Sequence, residues 1–505
     1  MIHNVQFAHV LSPLFDKRFN DLELIIQPFS LFFKCNFQIR SYFFIFFFTI
    51  SQNNDKIKKR IAYPWGNPMK NQPTAGIYTL GCKVNQYESE AIAERLCEAG
   101  FSVLSPRDLC DVYIINTCTV TAESDRKARQ FIRRAIHQNP EAYILVTGCF
   151  SQISPQVVAA IPGVDYVCGN ADKQSVVQAA LELIQKGQKN DLPALKTEAP
   201  DADGFESMRI RRFDRTRAYL KIEDGCESRC AYCIIPAARG KIRSKKPEDV
   251  IAEVTELTKN GCREVVLTGI ETASWGKDLE GWSLADLLER VDAIPGIGRV
   301  RLGSLDPSLI RPDFVERIAR LHSLAPHFHL SVQSGSSTVL ARMRRKYNAQ
   351  TARNGMELLR KAIPNVQFTT DIIVGFPQES DEEFEETLAF VREAGFLMIH
   401  IFPYSRRKGT PADTMPGQIP EAVKHEREKR LSELQTEIKR SILDSATGKT
   451  VQVLFETNEN DAWTGHTPNF LEVVCQSNSP LHGEIRNVRV ERNDGDRCYG
   501  TLAEP

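Results

Sequence analysis

The motif Cys226-Glu-Ser-Arg-Cys230-Ala-Tyr-Cys233 places three thiols within eight residues, directly after an apolar run, Tyr219 to Glu223, that reads as a strand. Three thiolates so close can converge on one iron–sulfur cube and leave its fourth iron without a protein ligand. An open position of that kind marks a catalytic metal site, since structural sites are closed. A zinc knot or idle thiols are the alternatives. Placement favours the cluster, because the motif opens a series of candidate strands separated by helical patterns: Glu264 to Thr268, Arg299 to Gly303, His329 to Gln333, Gln367 to Val374 and Met398 to Pro403. Six such units predict a partial (β/α)6 barrel with its active site at the carboxyl ends of the strands.

A second alternation begins at Gly76: GIYTL then Glu88 to Ala99, DVYIIN then Thr121 to His137, AYILVTG then Pro155 to Ala160, and DYVCG then Lys173 to Gln185. This is the pattern of an α/β domain, a parallel sheet covered by helices. Cys82 (TLGC), Cys118 (INTC) and Cys149 (VTGC) each stand just past a strand. Parallel strands end on one edge, so these three meet at a common point and form a second three-thiolate site; buried thiols placed by chance are the alternative. Cys168 also ends a strand (DYVCGN) and on placement alone is a rival or additional ligand. Cys97, Cys110, Cys262, Cys475 and Cys498 read as small apolar fillers.

Thirteen cysteines, an odd number scattered over 505 residues, do not make the disulfide framework of a small secreted protein; a reducing, cytoplasmic setting is expected. Lys plus Arg (64) equals Asp plus Glu (64), so any grip on nucleic acid depends on local patches. Residues 1–68, which include Cys35, differ in texture from the rest, and their apolar run Tyr42 to Ile50 covers only nine residues. A membrane span needs about 20, and the flanks of a signal peptide are missing. The segment reads as an upstream extension without a role in the fold, with Met69 as the working start; a weak membrane-associated leader is the alternative, and no stable membrane association is expected. Residues 187–207, polar and rich in Asp and Pro, read as a linker between a domain over 73–186 and the barrel over 208–438. Ala422 to Ile442 is a charged helical pattern, and after Gly448 come five short strands, TVQVLFE, AWTGH, FLEVVCQ, GEIRNVRVE and CYGTL. They predict a small OB-like β-barrel over 440–503.

At TLGCKVNQYES, NTCTVTAESDRKARQ, TGCFSQ and GCESRCAYCIIPAARGKIRSKKPEDV the sequence resembles the methylthiotransferases, radical S-adenosylmethionine enzymes that insert a sulfur and a methyl group into an unactivated C–H bond. The resemblance covers nearly everything from about 73 to 503. It implies an N-terminal methylthiotransferase domain, a radical SAM barrel and a C-terminal TRAM domain that holds RNA. It also implies two [4Fe-4S] clusters. Cys226, Cys230 and Cys233 would hold the one that cleaves S-adenosylmethionine to a deoxyadenosyl radical; Cys82, Cys118 and Cys149 would hold an auxiliary one bearing the sulfur to be transferred. Gly81-Cys82-Lys83-Val84-Asn85 is similar to the MtaB type, which acts at C2 of N6-threonylcarbamoyladenosine beside the tRNA anticodon. The implied partners are the tRNA anticodon stem-loop and an electron donor such as a flavodoxin. Other branches, acting on isopentenyladenosine or on a ribosomal-protein side chain, show Gln-Met or Pro-Lys after this cysteine. A non-catalytic, zinc-containing RNA-binding protein is the competing class.

Contacts to S-adenosylmethionine are expected from Gly269, Ser304, Gln333 and Gly375, all at predicted strand ends, where an ordinary turn is the competing explanation. Three basic runs flank the expected cavity: Arg209, Arg211, Arg212, Arg215 and Arg217; Arg239, Lys241, Arg243, Lys245 and Lys246; Arg342, Arg344, Arg345 and Lys346. They fit an electrostatic footprint for tRNA. The terminal barrel does not, since Arg440 to Pro505 carries six Lys or Arg against ten Asp or Glu; there Arg486, Arg489 and Arg492, with Trp463 or Phe470 for stacking, would have to bind RNA against an unfavourable field.

Overall fold

The computed structural model describes residues 72–189, 192–197, 204–213 and 215–503, so the extension expected over 1–68 lies outside the described residues. The first alternation forms β1 (Thr74–Thr79), α1 (Lys83–Glu98), β2 (Ser102–Leu104), β3 (Val112–Thr117), α2 (Ala122–Gln138), β4 (Tyr143–Gly148), α3 (Cys149–Ile153), α4 (Pro155–Ala159), β5 (Tyr166–Cys168), α5 (Ser175–Lys186) and β6 (Ala194–Lys196). The sheet is parallel throughout, in the order β2-β1-β3-β4-β5-β6. Its central strands β3 and β4 are buried along their whole length, which is why they read as unbroken apolar runs. The strand order reverses between β1 and β3, where a parallel sheet opens a crevice at its carboxyl edge. The turns carrying Cys82 and Cys118 flank that crevice.

Two strands departed from the sequence reading. β2 is three residues long, and β6 lies inside the segment expected to be a linker. All three residues of β6 are exposed, and the strand is held by backbone pairing to β5, which leaves no apolar period to read.

The second alternation forms β7 (Arg217–Lys221), β8 (Glu223–Asp224), α6 (Ile235–Arg239), β9 (Arg243–Ser244), α7 (Pro247–Lys259), β10 (Glu264–Thr268), α8 (Leu284–Asp292), β11 (Arg299–Leu302), α9 (Pro312–Ile318), β12 (His327–Gln333), α10 (Ser337–Arg342), α11 (Ala349–Ala362), β13 (Gln367–Val374), α12 (Asp381–Ala394) and β14 (Met398–Pro403). The six main strands run β7-β10-β11 and β12-β13-β14 as two parallel sheets, linked by single bridges at Val300–Leu324 and Leu305–Leu330. This is the expected partial barrel. α13 (Glu421–Ala446) packs on β14 and continues past the boundary expected near 440 to reach the terminal domain. There β15 (Thr450–Glu459), β16 (Ala462–His466), β17 (Glu472–Gln476), β18 (Ile485–Asn493) and β19 (Cys498–Leu502) close a barrel in the order β15-β16-β17-β19-β18. No helix among the described residues is long and apolar enough to cross a membrane.

Charged contacts join the parts. The terminal barrel seats on the amino-terminal ends of β7, β10, β11 and β12. There Arg217 meets Glu456, Arg301 donates to the Pro468 carbonyl at 3.1 Å, and His327 stacks on Phe470 with ring centroids 4.6 Å apart. Burial pushes the Glu264 carboxyl up, but Arg301 and Arg217 outweigh it and hold its pKa at about 2.

On the other side of the barrel, α1 is wedged between its own sheet and β7, and it buries Glu88 completely. That carboxylate accepts from Lys173, from Lys221 at 2.8 Å and from Arg239 at 2.6 Å; Arg239 and Lys221 also pair with Asp224 at 3.2 and 2.6 Å. Burial works against ionisation of both acids, yet the cations win: Glu88 stays well below its usual 4.5, and Asp224 is held at about 2. Because folding lowers both pKa values, the unfolded chain binds more protons in acid. Stability is therefore expected to hold steady above the unfolded values of 4.5 and 3.8 and to fall as pH drops towards about 2. Glu88→Gln leaves buried cations uncompensated and is expected to cost about 3–5 kcal/mol in urea unfolding at neutral pH while flattening that acid limb.

Candidate active site

Cys82 caps α1, Cys118 follows β3, and Cys149 opens α3 after β4. The turns that hold them are tightly constrained. Gly81 has φ +98°, and a Cβ there would stand 2.7 Å from Cys118 Cβ and 2.9 Å from its Sγ. Gly148 has φ +100°, with Thr117 O only 2.4 Å from where its Cβ would lie. Glycine is required at both positions. Arg239 donates to Cys149 Sγ at 3.3 Å and to Asn85 Oδ1 at 2.6 Å, and Asn85 stands beside Cys82 with 4.0 Å between Sγ and Oδ1. Asn170 Nδ2 also lies 3.5 Å from Cys149 Sγ. Burial first, then neighbouring thiols, push Cys118 up to about 11. Cys168, the rival ligand, instead packs in the core between the sheet and α5. Cys110, Cys262, Cys475 and Cys498 are buried fillers as expected.

The second set sits in the loop between β8 and α6. Cys226 Sγ faces Glu271 Oε2 at 3.1 Å and receives Ser228 N at 3.4 Å; Cys230 Sγ receives Arg345 at 3.1 Å; Cys233 Sγ receives Ile235 N at 3.4 Å. Donors aimed at sulfur stabilise thiolate, the form that binds metal. Without metal, burial raises Cys226 strongly, with the Glu271 charge adding to it, and lifts Cys233 to about 12. Cys233 belongs to the loop and Arg239 to the helix that follows it, so six residues of chain connect one cysteine set to the arginine that contacts the other.

Donor spacing bears on which centre fits. Zinc held at about 2.3 Å by tetrahedral thiolates needs sulfurs roughly 4 Å apart. Among the described residues, the one group of three or more potential ligands whose donor atoms all lie within 4.8 Å of one another is His329, Asp371 and His400. Neither cysteine set is that tight among the described residues, so neither is arranged around one zinc ion. Each set offers three thiols with protein donors pointed at the sulfurs, which fits the chemistry of an iron–sulfur cluster.

A cleft of about 200 Å³ is bounded by Val120 and Thr121 beyond Cys118, by Tyr232 before Cys233, and by Gln333, Asp371 and Phe402 from the barrel strands. Val120 and Phe402 are 51% and 40% exposed, unusual for apolar side chains inside a fold and suited to a flat ligand. The four positions expected to contact a cofactor all lie at the carboxyl ends of β10 to β13. Gln333 lines the cleft with φ +69°, a strained backbone for a non-glycine residue. Gly269 lies against Glu223, whose Oε2 is 2.5 Å from where its Cβ would be, and Ser304 is half-buried just past β11. Gly375 has φ +69°, gives its N–H to Glu379 at 2.6 Å and has Lys424 packed where a Cβ would lie, so the turn itself demands this glycine.

Several expected RNA contacts are already used inside the protein. Arg239, Arg243 and Lys245 are buried, paired respectively with Glu88, Asp224 and Glu253, because the second basic run folds under α1 instead of over the surface. Arg217, Arg342 and Arg345 are likewise tied to Glu264, Glu383 and Asp306. Trp463 belongs to the core of the terminal barrel and donates to Ser477 O at 3.2 Å, and Phe470 is spent on His327, His466 and Arg301; neither is free to stack on a base. Lys241, Lys246, Arg344 and Lys346 do remain exposed. The sequence reading took Arg239 and Arg345 for RNA contacts and missed Glu271 and the His329–Asp371–His400 group. Only the last left a signal, as polar residues at alternate positions of apolar strands.

Residues 220–391 match the Radical SAM superfamily, and residues 74–169 match Uncharacterized protein family UPF0004. The chain is 41% identical over 428 residues to the threonylcarbamoyladenosine tRNA methylthiotransferase MtaB of Bacillus subtilis, covering 83% of this chain and 93% of that protein. It is 41% identical to the protein of the same name from Thermotoga maritima, covering 76% and 86%. Against the tRNA-2-methylthio-N(6)-dimethylallyladenosine synthase of Moorella thermoacetica the identity is 35%, covering 84% and 97%. Among solved structures, TsrM of Kitasatospora setae, a radical S-adenosylmethionine methyltransferase, superposes with a TM-score of 0.53 at 14% identity over 68% of this chain and 77% of that one, a likeness of fold.

Cobalt(II) reports directly on sulfur spacing, because a single ion among three or four thiolates absorbs intensely in the visible. Anaerobic titration of the metal-free protein with cobalt is expected to give no such band; a strong one would show that a cysteine set closes around one ion.

Proposed function

The chain belongs to the radical S-adenosylmethionine methylthiotransferases, in the MtaB branch, and from that premise we propose that it adds a methylthio group to C2 of N6-threonylcarbamoyladenosine beside the tRNA anticodon. The observation that carries this reading is one cleft lined both by Val120, two residues past Cys118, and by Tyr232, next to Cys233, while Arg239, six residues beyond Cys233, donates to Cys149. Two different tasks, making a radical and delivering sulfur, need two centres within reach of one carbon. Identities of 36–41% to five threonylcarbamoyladenosine enzymes against 35–36% to three dimethylallyladenosine enzymes support the choice of base.

Cys226, Cys230 and Cys233 hold a [4Fe-4S] cluster together with S-adenosylmethionine, and Cys82, Cys118 and Cys149 hold a second [4Fe-4S] cluster. When bound, the two supply reductive cleavage of S-adenosylmethionine and a site for the transferred sulfur. The protein does the rest. Gly269, Ser304, Gln333 and Gly375 frame S-adenosylmethionine at the strand ends. Arg345 and the Ser228 and Ile235 amides steady the thiolates of the first set, and Arg239 balances the charge of Cys149 in the second. Val120, Tyr232 and Phe402 give the adenine ring apolar walls and keep water from a reactive carbon. Lys241, Lys246, Arg344 and Lys346 meet the phosphates of the anticodon stem-loop. Electrons come from a small donor protein such as a flavodoxin, and work on tRNA sets the protein in the cytoplasm.

Nucleoside analysis of tRNA from cells lacking this chain provides the test. The methylthio form of threonylcarbamoyladenosine is expected to vanish while the unthiolated form persists. Wild-type chain should restore it, and Cys226→Ala or Cys118→Ala should not. Persistence of the mark in the deletion strain would refute the assignment.

A further inference from the structure

Three side chains of metal-ligating type stand together on the barrel wall and take no part in holding either cluster. They come from β12, β13 and β14, and alternate residues of a strand share one face. His329 is the register partner of Thr369, and His400 is that of Asp371, two residues further along β13. All four therefore point the same way. Asp371 lines the cleft, as does Phe402, two residues past His400, so this is the face turned towards it.

The donor atoms converge. One ligand atom from each of His329, Asp371 and His400 lies within 4.8 Å of the other two, and no other group of three does so among the described residues. Zinc bound tetrahedrally to nitrogen and oxygen at about 2.0–2.2 Å holds its ligand atoms roughly 3.4 Å apart. His329 Nε2 and Asp371 Oδ2, at 3.1 Å, already stand near that spacing. His400 is exposed, its ring centroid is 5.9 Å from that of His329, and no hydrogen bond ties it down among the described residues. Rotation of this side chain closes the triangle.

The surroundings fit a ligand set as well. A histidine that binds metal through one ring nitrogen is usually oriented by a hydrogen bond at the other. Thr369 Oγ1 supplies it, 3.0 Å from His329 Nδ1, and is itself anchored 3.1 Å from Nε2 of the buried His327. The ring is thereby turned with Nε2 towards Asp371. A His329–Asp371 hydrogen bond on its own would need no third group, yet His400 is aligned in register beside it. Two imidazoles select a transition metal over magnesium or calcium, which prefer all-oxygen sites. Zinc in turn outranks ferrous iron at such donors.

We propose that His329, Asp371 and His400 bind one zinc ion through two imidazole nitrogens and a carboxylate oxygen. Three protein ligands leave a fourth position open, and here it faces the cleft, ready for water or an oxygen of the cleft's occupant. The site lies on elements that carry no cysteine of either set, and it does not depend on which base the enzyme modifies.

The test titrates the anaerobically reconstituted, desalted holoenzyme with zinc chloride and counts zinc and iron together. Wild type is expected to bind one zinc per chain without losing iron. The X-ray absorption spectrum at the zinc edge should show nitrogen and oxygen neighbours with imidazole scattering and no sulfur. His400→Phe and Asp371→Asn should each weaken zinc binding by about 100-fold or more, and Thr369→Val, which removes only the anchor of His329, by about 10- to 100-fold. His400→Phe changes an exposed side chain, so it decides the matter should either of the other variants fail to fold or to take up iron. Wild type that takes up no zinc overturns the inference. So do zinc that enters only as iron leaves, sulfur in the zinc shell, and equal zinc affinity in wild type and His400→Phe.

Discussion

Arg239 is the contact on which the arrangement depends. It is fully buried, it closes the helix that follows Cys233, and its guanidinium reaches Glu88 and Asn85 on α1, Asp224 on β8 and the sulfur of Cys149. A planar group with five donors can serve four acceptors on three elements at once, which an ammonium cannot. Four buried cations, Arg239, Arg243, Lys173 and Lys221, stand against two buried carboxylates, Glu88 and Asp224. Left alone, that imbalance is unfavourable in a dry interior. Thiolates at the adjoining cysteines would offset the surplus charge, so the network that docks the N-terminal sheet on the barrel also favours a metal-loaded form of its edge.

The same docking explains the direction in which the parts face. A parallel sheet exposes its useful edge at the carboxyl ends of its strands, and a partial barrel does so too. With α1 wedged between them, the carboxyl edge of the sheet presents Cys118 and the residues after it to the strand ends of the barrel, and Val120 and Tyr232 end up on one cleft. The terminal barrel occupies the opposite, amino-terminal end, where arginines of β7 and β11 and the ring of Phe470 close the floor. Its net acidity is then less puzzling, because Glu456 answers Arg217 within the protein.

Much of this was legible in the chain because period and punctuation carry it. Apolar runs mark β3, β4 and β10 within a residue or so, and cysteines after consecutive strands point to a common edge. Charge was harder to read. A run such as Arg239 to Lys246 looks like a surface that binds phosphate, and nothing local reveals that its acidic partners, Glu88 and Glu253, lie on elements distant in sequence or folded face to face with it. Aromatic residues misled for the same reason, since Trp463 and Phe470 are spent on neighbours that only the closed fold brings near. Short edge pairings such as β6 have no side-chain pattern at all.

The central claim, that two separate cysteine sets each hold a cluster beside one cleft, is tested most directly by iron and sulfide content and the electron paramagnetic resonance spectrum of the anaerobically reconstituted chain, compared with a variant in which Cys82, Cys118 and Cys149 are all alanine. The account predicts about eight irons for the wild type and about four for the variant, with the signal of one four-iron cluster retained. Equal iron in both proteins would contradict it and leave the N-terminal cysteines without a metal to hold.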